Sequence, residues 1–219
     1  MAKLLFDPQQ LPIESIAGEP ALALERLAPA WLRARFAAPP VWQPEMADES
    51  ASPRPDPTPA SVLVPLVLRD GGLTLLLTQR TAHLTDHAGQ ISFPGGRAED
   101  YDASTTDTAL REAEEEIGLD RRHVDVLGRL PDYFTGTGYR VTPIVGLVQP
   151  PFELKADPSE VAEIFEVPLP FLMDGQNHQR LSVQLAGGRR TFYAMPYERF
   201  FIWGATAGML RNLFHFLRA

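Results

Sequence analysis

Glu112, Glu114, Glu115 and Glu116 fall within five positions beside Arg111, on a chain whose formal net charge is already −8. Like charges at helical spacing repel by roughly 0.2–0.5 kcal/mol per pair, so the crowding needs a reason. Read as a helix over 104–117 and set at about 100° per residue, the stretch turns Glu115 about 60° to one side of Glu112 and Glu116 about 40° to the other. Three carboxylates then share one face. Leu110, Ala113 and Ile117 share the opposite one. Glu114 belongs to neither and is expected in solvent, while Arg111 pairs with Glu115 at i+4. Carboxylates gathered on one face are hard oxygen donors that suit Mg²⁺ or Mn²⁺. Such a cation would hold a diphosphate against an acidic protein. The rival reading is a solvated acidic helix face, the ordinary fate of a charge run.

The elements that must position this helix are legible nearby. Asp102 or Ser104 can cap its start and Gly118 can end it. Just upstream, Phe93-Pro94-Gly95-Gly96 forms a turn in which glycine lets backbone approach a ligand closely. Residues 61–70 and 73–80 read as strands joined through Asp70-Gly71-Gly72, a hairpin signal. Further strands are expected at 90–93, 123–130, 139–148 and 162–169, a hairpin over 180–197 turning at Gly187-Gly188, and an apolar-faced helix over 202–218. Strands and helices alternate without a regular β-α-β pattern, which predicts an α/β domain with a mixed sheet flanked by helices. Residues 1–60 read as an N-terminal extension: a helical pattern from Leu22 to Phe36 interrupted by Pro29, then a proline-rich linker. The domain proper is placed over residues 61–219.

Composition narrows the function classes. The chain has 219 residues and no cysteine, which excludes disulfides, thiolate catalysis and cysteine zinc sites. A net charge of −8 speaks against a nucleic-acid surface or a polybasic membrane anchor. The apolar run in "MAKLLFDPQQ" is too short for a signal peptide, and "FFIWGATAGML" too short to span a membrane. The expected setting is cytoplasmic.

The segment from Gly96 to Leu119 resembles the Nudix box, G-x5-E-x7-R-E-U-x-E-E-x-G-U with U aliphatic. Arg111, Glu112, Ala113, Glu115, Glu116, Gly118 and Leu119 match its second half. The first half departs. Its acidic position falls on Asp102 instead of Glu, and eight residues separate Asp102 from Arg111, one more than the pattern has. The resemblance implies an α/β/α sandwich and hydrolysis of a nucleoside diphosphate linked to another group. It also implies Glu112, Glu115, Glu116 and the Gly95 carbonyl as metal ligands, with Arg111 orienting the glutamates. Glu160 or Glu163, in "DPSEVAEIFEVPL", is a candidate general base beside the helix glutamates themselves.

Residues 76–96 also resemble the additional signature of the Nudix coenzyme A pyrophosphatases, L-L-T-x-R-[SA]-x3-R-x3-G-x3-F-P-G-G. Leu76, Leu77, Thr78, Arg80, Gly89 and Phe93 to Gly96 match, whereas Thr81 replaces Ser or Ala and Thr85 replaces Arg. Arg80, His87 and Gly96 are the candidate substrate contacts, and Tyr139 and Arg140 border the site. Gly136 and Gly138 read as a tight loop, and Trp203 as core. The expected substrate is of the coenzyme A class. ADP-ribose, NADH or dinucleoside polyphosphates would use the same helix, and a non-catalytic nucleotide-sensing module is the reading from another class. A homodimer is left open, with the N-terminal helix as its candidate element.

Overall fold

A computed structural model of the chain describes residues 6–45, 55–84, 87–185 and 188–219. In chain order the strands are β1 (Ile13–Ile16), β2 (Thr58–Arg69), β3 (Gly72–Arg80), β4 (Ile91–Ser92), β5 (Gly95–Arg97), β6 (Val124–Arg129), β7 (Tyr133–Phe134), β8 (Tyr139–Val148), β9 (Val161–Pro168), β10 (Gln179–Leu185), β11 (Gly188–Tyr197) and β12 (Phe200–Trp203). The α-helices are α1 (Pro29–Ala37), α2 (Thr105–Ile117), α3 (Leu169–Leu172) and α4 (Gly204–Arg218).

The long apolar runs form the centre of an eight-stranded mixed sheet. β2 pairs antiparallel with β3, Leu66 opposite Leu75, and parallel with β8, Leu63 opposite Ile144. Both faces of these strands are covered, which is why they read as continuous apolar runs and not as alternating ones. Side chains nevertheless alternate in direction. Leu63, Val67, Leu76, Ile144 and Val148 face α2 with Ala109, Ala113 and Ile117. Val64, Leu66, Leu75, Leu77 and Val145 face the other way, against Ala207, Leu210, Leu213 and Phe214 of α4. The result is the expected α/β/α layering. Leucine-to-alanine truncation at such fully buried positions costs about 2–5 kcal/mol.

The second sheet is antiparallel, in the order β1-β10-β11-β12. Phe165 of β9 stacks on Phe200 of β12 with ring centroids 3.5 Å apart, one link between the sheets. Trp203, expected as core, is half-buried and packs against Phe192 at 5.2 Å, at the edge of a small cluster with Leu181 and Ala194. Gly138 closes a turn by donating to the Thr135 carbonyl at 3.1 Å, the tight loop expected there.

The first 60 residues depart from the expected picture of helix and linker. Pro29 does not interrupt a helix but opens α1, where its missing N–H leaves nothing unsatisfied. Leu22, Leu27 and Leu32 are buried in the same core as α4. β1 extends the second sheet, and Glu19 and Glu45 both pair with Arg211 of α4. β2 begins at Thr58, inside the stretch read as linker. Residues 46–54, which include the first part of that stretch, and Gly187 of the second hairpin lie outside the described residues.

Candidate active site

Helix α2 forms where its caps and its amphipathic spacing direct. Ser104 is the N-cap, its Oγ accepting the Asp107 N–H at 3.1 Å. Gly118 ends the helix in the left-handed region at φ 68°, its N–H donating to the Glu114 carbonyl. Asp102, the alternative cap, has another task. Its Oδ1 accepts Arg111 Nε at 2.8 Å and its Oδ2 accepts Arg111 Nη2 at 2.9 Å.

Arg111 is bonded through its whole fork. Nη1 donates to Glu112 Oε1 and to Glu115 Oε2, each at 2.9 Å, and Nη2 also donates to the Arg97 carbonyl at 3.1 Å. With Asp102 this employs all five guanidinium N–H donors. The pair with Asp102 is the strongest influence on both groups: it holds the Asp102 carboxyl well below the usual carboxylate range and pushes Arg111 upward. Arg111 therefore fixes the helix glutamates against the loop that precedes them.

Glu116 is the buried carboxylate of the face, 4% exposed. Its Oε2 accepts the Gly95 N–H at 3.1 Å and its Oε1 lies 3.5 Å from Arg80 Nη1. Burial pushes its carboxyl up to about 7. The Gly95 N–H and Arg80 oppose the shift, while the charges of Glu160 and Glu112 add to it. Burial raises Glu112 as well, against the pull of Arg111. The two glycines are there because the loop runs against these groups. A Cβ on Gly96 would come within 2.6 Å of all three atoms of the Glu112 carboxyl group. A Cβ on Gly95, at φ 156°, would meet the Ser61 carbonyl of β2 at 2.4 Å. β5, which was not expected as a strand, pairs with β2 and so pins both glycines beneath α2.

The remaining candidates separate. Glu160, at the entry to β9, is half-exposed and sits across from the helix, with Oε2 at 3.6 Å from Arg80 Nη2. Glu163 is directed elsewhere and accepts Arg199 Nη1 at 2.9 Å, so the structure does not bring it to the carboxylates. His87 has φ 58° and its Nδ1 bonds Gln90 Oε1 at 2.9 Å, a contact within its own loop. Thr85 lies outside the described residues. Glu114 is not simply solvated. It pairs with Arg121, whose Nε and Nη2 reach its two oxygens at 3.1 and 2.8 Å. Tyr139 accepts a bond from Arg97 Nη2 at 2.7 Å, and Arg140 lies 3.8 Å from Asp132. Of the upstream signature, Leu76, Leu77 and Phe93 are core and Thr78 bonds the Ser92 carbonyl; Arg80 alone among them is within ion-pair reach of the glutamates.

The family model for the NUDIX domain matches residues 57–181, which span the sheet, α2 and the glutamates described above. A protein of Escherichia coli O1:K1 / APEC described as an uncharacterized Nudix hydrolase, NudL, is 44% identical over 154 residues, covering 70% of this chain and 80% of that protein. Its namesake in Shigella boydii serotype 18 matches to the same extent, 44% over 154 residues. A solved structure of a MutT/nudix family protein from Enterococcus faecalis is similar with a TM-score of 0.47 at 16% identity, covering 84% of this chain and 73% of that one. The chain belongs to the Nudix family. It is a hydrolase acting on phosphorus-containing anhydrides, with a pyrophosphate as substrate. Nudix hydrolases use divalent metal cations.

The donors present fit such a cation. They are carboxylate oxygens, hard ligands, and one of them is buried at a cost that positive charge would relieve. They are not gathered into a cage, since among the described residues no three acidic or histidine side chains converge as a preformed metal site. Arg111 occupies one oxygen each of Glu112 and Glu115, and the second oxygen of each accepts no bond shown among the described residues.

Proposed function

We propose that the chain is a Mg²⁺- or Mn²⁺-dependent hydrolase that cleaves the diphosphate of coenzyme A or an acyl-CoA. The products are 3′,5′-ADP and 4′-phosphopantetheine or its acyl form. The observation that carries this reading is the position of Arg80. It ends the Leu-Leu-Thr-x-Arg run of the coenzyme A signature and lies within ion-pair distance of Glu116 and Glu160. The substrate signature and the carboxylate face therefore meet in one place.

In this reading Glu112, Glu115, Glu116 and the Gly95 carbonyl hold the cation. When bound, the cation neutralises charge developing on the phosphoryl oxygens and lowers the pKa of a bound water. Arg111, with no N–H left over, keeps Glu112 and Glu115 oriented and touches no substrate. Glu160 is the candidate base, half-exposed and facing the buried carboxylates, and it takes a proton from the attacking water. Arg80 gives the diphosphate a guanidinium fork, which suits phosphate oxygens. Gly96, a substrate contact through its backbone in this reading, lets the Glu112 carboxylate pack where a Cβ would otherwise sit. His87 is a secondary substrate contact at most, given its bond to Gln90. The assigned setting is the cytoplasm; no helix among the described residues is long and apolar enough to cross a membrane.

The test compares wild type and Glu116→Gln on coenzyme A and dephospho-coenzyme A with Mn²⁺. The reading expects cleavage of coenzyme A by wild type and a loss of at least about 100-fold in the variant. Equal rates for the two proteins would remove Glu116 from the chemistry. Equal kcat/KM for the two substrates would remove the 3′-phosphate, and with it the coenzyme A assignment.

A further inference from the structure

Two arginines serve the carboxylate site, and they are held in opposite ways. Arg111 makes five bonds of 2.8 to 3.1 Å to Asp102, Glu112, Glu115 and the Arg97 carbonyl. Arg80 makes two long contacts, 3.5 Å to Glu116 Oε1 and 3.6 Å to Glu160 Oε2. Contacts of that length are charge attraction more than directed hydrogen bonds. The backbone under Arg80 is fixed on both sides: its N–H bonds the Gln90 carbonyl and the Thr81 N–H bonds the Glu160 carbonyl, each at 2.9 Å. Its side chain is 23% exposed, so the guanidinium has a route outward to solvent.

We infer that Arg80 is a built-in counter-cation of this site, displaced from Glu116 and Glu160 when a divalent cation binds and thereby released to the substrate's phosphates. The inference rests on the cation-dependent reading above and deepens it. A dication taking up the oxygens of Glu116 competes with the guanidinium for the same charge and repels it. An arriving diphosphate attracts the released guanidinium. Cation and substrate then assist each other through one side chain, and the coupling is reciprocal. Arg111 cannot play this part, because moving it would break five bonds and unseat two glutamates.

The experiment measures Mn²⁺ binding to the full chain without substrate, by the electron paramagnetic resonance signal of free Mn²⁺, and separately KM for coenzyme A. Wild type, Arg80→Met and Glu116→Gln are compared, with circular dichroism to confirm folding and Arg80→Gln in reserve if Arg80→Met does not fold. The expected result has opposite signs for the arginine variant: Mn²⁺ binds roughly threefold to tenfold tighter, while KM rises by about tenfold or more. Unchanged or weaker Mn²⁺ binding in Arg80→Met, with normal binding in wild type that is lost in Glu116→Gln, would overturn the inference alone. Absent Mn²⁺ binding in wild type, or normal binding in Glu116→Gln, would sink the cation reading and the inference together.

Discussion

Asp102 grips Arg111 through both carboxylate oxygens, at 2.8 and 2.9 Å, from a position one residue further from the helix than the Nudix pattern places its acidic residue. The extra residue is absorbed in the loop. Asp102 also accepts the Glu99 N–H and the Thr108 hydroxyl, each at 2.9 Å, so the loop is tied to the helix and to itself. Replacing Asp102 by Asn keeps the shape but weakens a charge-assisted pair. Arg111 then loosens and Glu112 and Glu115 lose their common anchor. The expected loss is about 10- to 100-fold in kcat/KM, with Mn²⁺ binding weakened in parallel. Full activity in Asp102→Asn would show that Arg111 needs no anchor there.

The two glycines predict different failures. Gly96→Ala would push against the far end of the Glu112 side chain, which can swing away. The protein should fold with a nearly unchanged Tm and lose at least about tenfold in kcat/KM. Gly95→Ala would push against the backbone of β2, which cannot yield cheaply. It should lose about 1–3 kcal/mol of stability, read from urea denaturation. Similar effects on both properties in both variants would contradict this division.

Glu160 and Glu163 are three residues apart and differ in their partners. Glu163→Gln removes a surface pair with Arg199 and should leave activity within about twofold. Glu160→Gln should lower kcat by about 100-fold or more if Glu160 takes the proton from water. A reversed outcome would require Glu163 to leave Arg199 and reach the helix.

Much of this site was legible beforehand. The helical projection placed Glu112, Glu115 and Glu116 together, Ser104 and Gly118 bounded the helix, and the hairpin through Gly71-Gly72 fell where its turn residues put it. What escaped depends on distant partners. Choosing Glu160 over Glu163 required knowing where Arg199 lies, in the turn between β11 and β12 of the second sheet. Glu114 found Arg121, which a helix projection stopping at Gly118 does not include. The short strands β1, β5, β7 and β12 carry weak patterns of two to four residues and exist because a longer neighbour pairs with them. The N-terminal segment looked detachable because its anchors are single residues, Glu19 and Glu45, whose common partner Arg211 is more than 160 residues further on.

His178 sits beside those anchors and makes stability depend on pH. It is fully buried, with Nε2 donating to the Leu172 carbonyl at 2.8 Å and Nδ1 accepting from Arg211 at 3.2 Å, which fixes the neutral ring. Burial, with the neighbouring Arg211 charge, lowers its pKa from 6.5 to about 4. The unfolded chain therefore binds more protons between those values, and stability falls as pH drops from 6.5 toward 4. By pH 5 the loss from this one group is about 2 kcal/mol. Urea midpoints at pH 7 and pH 5 should show it, and His178→Asn should show a smaller drop. An equal drop in the variant would place the pH sensitivity elsewhere.

The most direct test of the central claim is to incubate the purified chain with coenzyme A and Mg²⁺ or Mn²⁺ and to separate the products by chromatography. The account predicts 3′,5′-ADP together with 4′-phosphopantetheine, and neither in the presence of a chelator. Intact coenzyme A, with ADP-ribose or NADH cleaved under the same conditions, would contradict the substrate assignment while leaving the hydrolase standing.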